Sequence, residues 1–145
     1  MKKDIVLALD LEYTLISSAT LCFSRPGLHE FLLFCQNTFE RLVIFTTVSE
    51  ATFQRVAQQL MALNEVPPWF GDLEYITWDR RGKKDLRLIP DANVKRCYLL
   101  DDRREYVCDS QINNWITIEP YEFVGEGVDN DRELQKVIHQ LNALQ

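Results

Sequence analysis

Residues 5–14 read Ile5-Val6-Leu7-Ala8-Leu9-Asp10-Leu11-Glu12-Tyr13-Thr14, so that five consecutive apolar residues are followed directly by an acid. An uninterrupted apolar run of this length is typical of a strand that is buried on both faces of a parallel sheet. Ligands bind at the carboxyl ends of such strands. The stretch therefore predicts a central parallel strand, with Asp10 and Glu12 at the edge of the sheet where chemistry takes place.

The rest of the chain alternates short apolar runs with segments whose apolar residues recur at helical spacing. Further strands are predicted at 42–45, 97–100 and 115–118, with a short one near 75–76. Three helices are predicted. The first begins at Arg25-Pro26-Gly27, and apolar residues recur at helical spacing from there through Phe39. The second is capped by Ser49, and the third begins where Asn130 and Glu133 fit a capping box. This alternation indicates an α/β fold with a mainly parallel sheet, organised as a single domain over 1–145.

The composition is that of a globular domain rather than of a fibrous or disordered chain. The 145 residues are 46% hydrophobic and 26% charged, which excludes disordered, collagen-like and coiled-coil classes. The net charge of -6 argues against general binding to nucleic acids or to anionic membranes. No apolar run approaches the ~20 residues of a membrane span, and the first residues do not resemble a signal peptide, so we expect a cytoplasmic protein.

The four cysteines are predicted to be free thiols in a reducing compartment. Cys22, Cys35, Cys97 and Cys108 stand far apart, with no CxxC pair and no nearby histidine that would complete a zinc site.

Polar residues stand at the predicted ends of three strands, namely Asp10, Thr46 and the pair Asp101-Asp102. Any one of them could simply end a strand, because Asp and Thr are common there. Together they bring three carboxylates to one edge of the sheet, where like charges repel unless a cation or a proton lies between them. Oxygen ligands of this kind suit Mg²⁺, so the pattern predicts a magnesium site.

The stretch Asp10-Leu11-Glu12-Tyr13-Thr14-Leu15 resembles the DxDxT signature that opens haloacid dehalogenase-like phosphatases. The segments that follow it have the order and approximate spacing of one branch of that superfamily: Arg25-Pro26-Gly27-Leu28-His29-Glu30-Phe31-Leu32, Phe45-Thr46-Thr47, Lys84-Asp85-Leu86, Leu99-Leu100-Asp101-Asp102 and a tail beginning at Trp115. Over nearly its whole length the chain is similar to the NLI-interacting-factor-like, or small C-terminal-domain, phosphatases. This resemblance implies a Rossmann-like three-layer sandwich with a mainly parallel central sheet and, at this length, no separate cap domain.

The resemblance also implies a mechanism for hydrolysing phosphomonoesters. Asp10 would be the nucleophile that attacks phosphorus and becomes an aspartyl-phosphate. Glu12 would act first as general acid and then as general base. The phosphoryl oxygens would be bound by Thr46, Thr47 and Lys84, of which Lys84 would also neutralise the crowded carboxylates.

For the metal, the resemblance implies Mg²⁺ bound by Asp102, by a carboxylate oxygen of Asp10 and by the backbone carbonyl of Glu12. Asp101 would hold a metal-bound water or the lysine, and it stays open as the alternative direct ligand.

Two lysines compete for the phosphate-binding role. We prefer Lys84 because it precedes Asp85-Leu86 as the family lysine does, whereas Lys83 belongs to the basic stretch Arg80-Arg81-Gly82-Lys83. That stretch is either a solvated turn or a further contact to substrate phosphate. Arg103 and Arg104 are predicted to begin a helix after the metal loop.

The chain departs from the family at two places. Glu12 stands where the signature has its second aspartate, and a displacement of about 1 Å at a reacting centre can cost on the order of 10²-fold in rate, so either the loop compensates or the enzyme is slow. Only nine residues, Ile16 to Ser24, separate the first motif from Arg25. They are too few for the β-hairpin flap of relatives that act on the C-terminal repeats of RNA polymerase. We therefore expect an open site for a phosphoprotein or a small phosphomonoester, and the polymerase substrate is not carried over.

Two other functions stay open. A receiver-like phospho-acceptor domain also gathers acids, a threonine and a lysine around Mg²⁺, but its adjacent acids follow the first strand, whereas Asp101-Asp102 follow a late one. The second alternative is a phosphate- or phosphoprotein-binding module with weak or no turnover, which Glu12 alone supports.

Overall fold

Five parallel strands form the centre of the structure, a computed structural model that describes residues 1–123 and 130–145. In chain order the strands are β1 (Lys3–Leu9), β2 (Phe39–Ile44), β3 (Glu74–Tyr75), β4 (Cys97–Asp101) and β5 (Trp115–Thr117). The helices are α1 (Leu28–Thr38), α2 (Glu50–Ala62) and α3 (Glu133–Asn142). The predicted α/β fold with a parallel sheet is confirmed.

The strand order in the sheet is β3-β2-β1-β4-β5. The chain builds outward from β1 to β3 and then returns to the other side of β1 with β4 and β5. The point where the order reverses therefore lies between β1 and β4, and the loops after these two strands flank the crevice in which open α/β sheets bind ligands. The amide of Asp10 donates to the carbonyl of Leu100 (3.0 Å), which extends the pairing of β1 and β4 to this edge.

Alternate side chains of β1 serve two separate cores because side chains alternate across a strand. Ile5, Leu7 and Leu9 are buried against the face that α1, α2 and α3 cover. Ala8 is buried on the opposite face, against a layer formed by the segment from Ile76 to Ile89 and by Val107. That layer contains short 3₁₀ helices in place of α-helices, at Leu86–Leu88 and Arg104–Tyr106 among others. The second of these helices begins at Arg104, as predicted.

The predicted boundaries of the elements were partly correct. Phe39 was assigned to α1 but opens β2, because the chain passes directly from the helix into the strand. The strand near 75–76 is confirmed one residue earlier, at Glu74–Tyr75. Ser49 caps α2 as predicted, and its hydroxyl accepts from the amide of Thr52.

The capping box before α3 was also wrong. A capping box would make Glu133 the third residue of a helix that begins at residue 131, but α3 begins at Glu133 itself, with Arg132 at the N-cap. The amide of Glu133 instead donates to the carboxylate of Asp131 (3.1 Å), and the carboxylate of Glu133 accepts from the amide of Glu119 (3.2 Å). The helix start is thus tied to the segment after β5.

All four cysteines are free, as predicted, and Cys22, Cys35 and Cys97 are buried. Burial raises the pKa of each of these three thiols. In the described part of the chain no helix is long and apolar enough to cross a bilayer.

Candidate active site

The predicted site residues follow the carboxyl ends of three strands. Asp10 comes directly after β1, Thr46 lies two residues beyond β2, and Asp101 is the last residue of β4 with Asp102 after it. Lys84 reaches the same edge from the loop before the 3₁₀ helix at Leu86–Leu88. Carboxylate oxygens of the three aspartates lie within 4.8 Å of one another.

Lys84 is the cation at the centre of this cluster, with only 1% of the residue exposed. Its Nζ donates to Oδ1 of Asp10 (2.9 Å) and to Oδ2 of Asp101 (2.6 Å). Burial by itself lowers the pKa of Lys84, but the two carboxylates outweigh it and hold the pKa above its usual value. The neighbouring Lys83 is exposed, and its Nζ donates to the carbonyl of Glu105 (3.1 Å). The structure therefore places Lys84, and not Lys83, beside the acids.

Asp101 has both carboxylate oxygens engaged by protein donors. One accepts from Lys84, and the other accepts from the backbone amide of Arg103 (2.9 Å). Burial, followed by the charge of Asp10, raises the pKa of Asp101 to about 6. Asp101 is fully buried and does not line the cavity that Asp10 and Asp102 border, so it is better placed to orient Lys84 than to bind an ion directly.

Asp102 is half-buried and faces the cavity. Its Oδ1 lies 3.4 Å from Oγ1 of Thr14, which also donates to Oδ2 of Asp10 (2.8 Å). Burial, and then the charge of Asp10, raises the pKa of Asp102 to about 7. Burial and the charge of Asp10 thus disfavour the ionised forms of Asp101 and Asp102, and a further cation between the carboxylates would counter this effect. The donor set, carboxylate oxygens only, fits a hard divalent cation such as Mg²⁺.

Glu12 is held by a loop that follows it in the chain. Its Oε2 accepts from the amide of Ala19 (2.7 Å). Between them, Tyr13 has a φ of 64°, a left-handed conformation that turns the chain sharply away from β1. The nine residues from Ile16 to Ser24 form a small turn closed by an antiparallel bridge between its ends, and no flap hairpin is present in this described segment.

The two threonines after β2 are placed differently. Thr46 is fully buried, where its hydroxyl oxygen accepts from the amide of Val48 (3.3 Å) and its carbonyl accepts from Trp78. Thr47 lines the cavity at Asp10. Both were predicted to bind phosphate, and only Thr47 borders that cavity.

Two connected cavities open at this edge of the sheet. The smaller, about 210 Å³, contains the reactive groups and is lined by Asp10, Glu12, Tyr13, Thr47, Asp102, Arg103 and Tyr106. The larger, about 730 Å³ and open to solvent, shares Tyr13, Asp102 and Arg103 with it and extends past Lys83 and Glu122. A phosphoryl group in the small cavity would therefore have room for a large leaving group outside.

Sequence reasoning missed the role of Arg25. Its guanidinium is buried and forms an ion pair with Asp131, while it also donates to the carbonyls of Tyr13, Thr14 and Glu119. The ring of Tyr121 lies 5.4 Å away. No local signal marks these contacts, because most of the partners lie about a hundred residues farther along the chain.

Comparison with known proteins agrees with the fold. The family model for NLI interacting factor-like phosphatases matches residues 5–145. Among solved structures, the chain is similar to the fission yeast RNA polymerase II CTD phosphatase Fcp1, in a variant bound to beryllium fluoride, with 20% identity and a TM-score of 0.61. The match covers 97% of this chain and 50% of that one, so this chain spans half its length. No curated protein matches.

The match to the family model extends over almost the whole chain and includes every residue of the cluster around Lys84. The mainly parallel sheet is that of a haloacid dehalogenase-like domain. The chain therefore belongs to the NLI interacting factor-like phosphatases.

Proposed function

We propose that the protein is a Mg²⁺-dependent phosphatase that hydrolyses phosphomonoesters through an aspartyl-phosphate on Asp10. The observation that carries the proposal is the placement of Asp10, directly after β1, against the buried Lys84 and beside Asp102. Each carboxylate oxygen of Asp10 accepts one hydrogen bond, from Lys84 or from Thr14. Lone pairs are left for phosphorus and for a metal ion.

In the first step, an oxygen of Asp10 forms a bond to phosphorus while the bond to the leaving oxygen breaks. Glu12, as the carboxylic acid, gives its proton to that oxygen. In the second step Glu12, now the carboxylate, takes a proton from water, the water oxygen attacks phosphorus, and the bond to Asp10 breaks to release phosphate. Glu12 lines the same cavity as Asp10, which is the placement that both proton transfers require.

The charge of the phosphoryl group is compensated by groups already in place. Lys84 has three N–H donors and uses two of them on Asp10 and Asp101, so one is available to a phosphoryl oxygen. Thr47 borders the cavity and would supply a hydroxyl. Such preorganised donors are the main protein contribution to phosphoryl transfer.

Mg²⁺ would be held by Asp102, by a carboxylate oxygen of Asp10 and by the carbonyl of Glu12, with Asp101 orienting Lys84. When bound, the ion neutralises charge on the phosphoryl oxygens and on the crowded carboxylates. The fit rests on the all-oxygen donor set and on the raised pKa values of Asp101 and Asp102.

A phosphoprotein is the substrate class that we propose. The open cavity of about 730 Å³ beside the reactive groups can take a chain segment, and the related Fcp1 is a phosphatase of the polymerase CTD. The turn at Ile16 to Ser24 offers no flap to enclose a small molecule.

The test is hydrolysis of 4-nitrophenyl phosphate and of a phosphoserine peptide library, with Mg²⁺ and with EDTA. We expect Mg²⁺-dependent turnover that Asp10→Asn abolishes, because an amide cannot attack phosphorus. Asp72→Asn, at an exposed aspartate in the 3₁₀ helix Phe70–Asp72, is the matched control and should behave as the natural protein. Undiminished turnover in Asp10→Asn would overturn the proposal, and phosphopeptide binding without any turnover would favour the binding module.

A further inference from the structure

The hydrogen bond between Glu12 and Ala19 explains how a glutamate can occupy the position of the family's second aspartate. The amide of Ala19 donates to Oε2 of Glu12 at 2.7 Å, a distance typical of a strong bond to a carboxylate. An aspartate, one methylene shorter, would leave this amide out of reach. Since Oε2 is occupied by the amide, proton transfer to and from the substrate falls to Oε1.

The turn that presents Ala19 is firmly closed at its base. The amide of Ser17 donates to the carbonyl of Phe23 (2.8 Å), and the amide of Phe23 donates back to the hydroxyl of Ser17 (3.1 Å). Near the tip, the amide of Cys22 donates to the carbonyl of Ser18 (2.7 Å). These bonds shape the turn, and the burial of Ala19 and Cys22 in the main core packs its tip against the helical layer.

Arg55, on α2, supplies a contact to the tip from outside the turn. Its Nη2 donates to the carbonyl of Ala19 at 3.1 Å, across 36 residues of sequence. The same guanidinium lies close enough to Cys22 to counter part of the rise that burial causes in the pKa of that thiol. One residue, Ala19, therefore accepts from Arg55 through its carbonyl and donates to Glu12 through its amide.

We propose that Arg55 is a positioning residue for the general acid. By holding Ala19 against α2, Arg55 keeps the Ala19 amide where it binds Oε2 of Glu12, and this fixes Oε1 toward the leaving oxygen. Arg55 touches neither the phosphoryl group nor the other site residues in the described contacts, so its effect passes through Ala19. The inference rests on the proposed role of Glu12 in the phosphatase reaction.

This role has a chemical signature that a purely structural contact lacks. Protonation of the leaving oxygen matters most when the leaving group is a poor one, such as an alkoxide, and least when it is 4-nitrophenolate, which leaves without help. A misplaced Glu12 should therefore slow hydrolysis of alkyl phosphates selectively. The parameter to compare is kcat/KM, which covers the steps up to the first irreversible one, including departure of the leaving group.

The kinetic experiment compares Arg55→Met with the natural protein on a phosphoserine peptide and on 4-nitrophenyl phosphate. We expect kcat/KM to fall about 10-fold on the peptide and no more than about 2-fold on the aryl ester, a part of the 10² to 10⁴ that general acid–base catalysis supplies. Arg96→Met is the matched control, because Arg96 also donates to a backbone carbonyl, that of Asp4, at the opposite end of β1. In a Glu12→Asp background the selectivity of Arg55→Met should vanish. An equal fall on both substrates, or none, would overturn the inference.

A second measurement does not depend on activity, so it tests the role of Arg55 separately from the proposed phosphatase function. Amide hydrogen exchange at Ala19 should be slow in the natural protein and in Arg96→Met. It should be at least about 10-fold faster in Arg55→Met, because the tip loses its hydrogen bond to α2 and opens more often. Unchanged exchange at Ala19 would refute the positioning role even in an enzyme that shows turnover. Loss of turnover in Glu12→Gln tests the proposed function by itself.

Discussion

Lys84 and Arg25 are two cations with the same burial and opposite consequences. Each is 1% exposed, and each forms an ion pair with an aspartate. All five N–H groups of Arg25 donate hydrogen bonds, two to Asp131 and three to backbone carbonyls. Lys84 uses two of its three N–H donors, both to bind carboxylates.

This difference in free donors distinguishes a structural ion pair from a ligand-binding site. The fully used guanidinium of Arg25 ties the loop after β1 to the segment after β5 and to the start of α3, and it has nothing left for a ligand. Lys84 binds two carboxylates and keeps one N–H donor that no carboxylate accepts, while its Nζ lies 5.0 Å from the ring of Tyr106. Its partner Asp10 lines the cavity, and the pKa values of Asp101 and Asp102 are raised. Counting donors against partners therefore distinguishes the two roles where burial does not.

Removing Lys84 should have the largest effect on activity. In Lys84→Met we expect turnover to fall by about 10³-fold or more, because the donor to the phosphoryl group is lost and two buried carboxylates are left without their cation. Steady-state kinetics with saturating Mg²⁺ measures the loss. Lys83→Met, the exposed neighbour, should stay within about 3-fold of the natural protein. Equal losses in the two variants would contradict the assignment of Lys84.

Removing Arg25 should affect stability first. Arg25→Met leaves Asp131 without its ion-pair partner and three carbonyls without a donor, so we expect the free energy of unfolding to fall by about 3 kcal/mol. Urea unfolding followed by circular dichroism measures it. Metal affinity of the folded fraction should change little. A variant with normal stability and lost Mg²⁺ binding would make Arg25 part of the site.

The acids themselves predict a pH dependence of stability. The pKa of Asp101 is raised to about 6 and that of Asp102 to about 7, so the folded chain holds these protons more tightly than the unfolded chain does. Without metal, stability should therefore fall as pH rises from about 4 to about 7, by at most about 1.4 kcal/mol per pH unit for each titrating carboxyl, and level off above that. Mg²⁺ should stabilise more at pH 8 than at pH 6.

Thermal unfolding at several pH values, with EDTA and with Mg²⁺, checks this dependence. Asp102→Asn is the control, since it removes one of the two groups and should flatten the EDTA curve. A metal-free protein whose stability rises between about pH 4 and about pH 7 in parallel with that variant would contradict the account.

The smallest expected effect comes from removing Arg41, a partly exposed arginine with contacts like those of Arg25. Arg41 binds Glu74 through two nitrogens and donates to the carbonyl of Pro90, the same partners in kind. Its side chain is 27% exposed, however, and exposed pairs contribute at most about 1 kcal/mol. Urea unfolding of Arg41→Met should show a loss well below that of Arg25→Met. Equal losses would mean that geometry, and not burial, sets the cost.

The sequence was sufficient for the sheet and for the acids because both follow from local pattern. The apolar run of β1 ends at Asp10, and the apolar run of β4 ends at Asp101, so the strand ends could be found by inspection. Parallel pairing then brings those ends together. The family resemblance supplied the choice of Lys84 over Lys83, which the burial of Lys84 now supports.

What the sequence could not provide are contacts between distant segments. The bonds from Arg25 to Glu119 and Asp131, and from Arg55 to Ala19, join residues that share no periodicity or motif. The start of α3 was missed for the same reason, because its first amide is bound by Asp131, which Arg25 holds. Such tertiary contacts override local capping signals.

Whether Asp10 is the nucleophile can be tested by identifying the residue that becomes phosphorylated. The protein is mixed with 4-nitrophenyl phosphate and Mg²⁺, quenched in acid and reduced with borohydride, which converts an aspartyl-phosphate to homoserine. Peptide mass spectrometry should find homoserine at position 10 in the natural protein and none in Asp10→Asn. Homoserine at position 101 or 102 would contradict the account, and so would steady turnover with an unmodified Asp10.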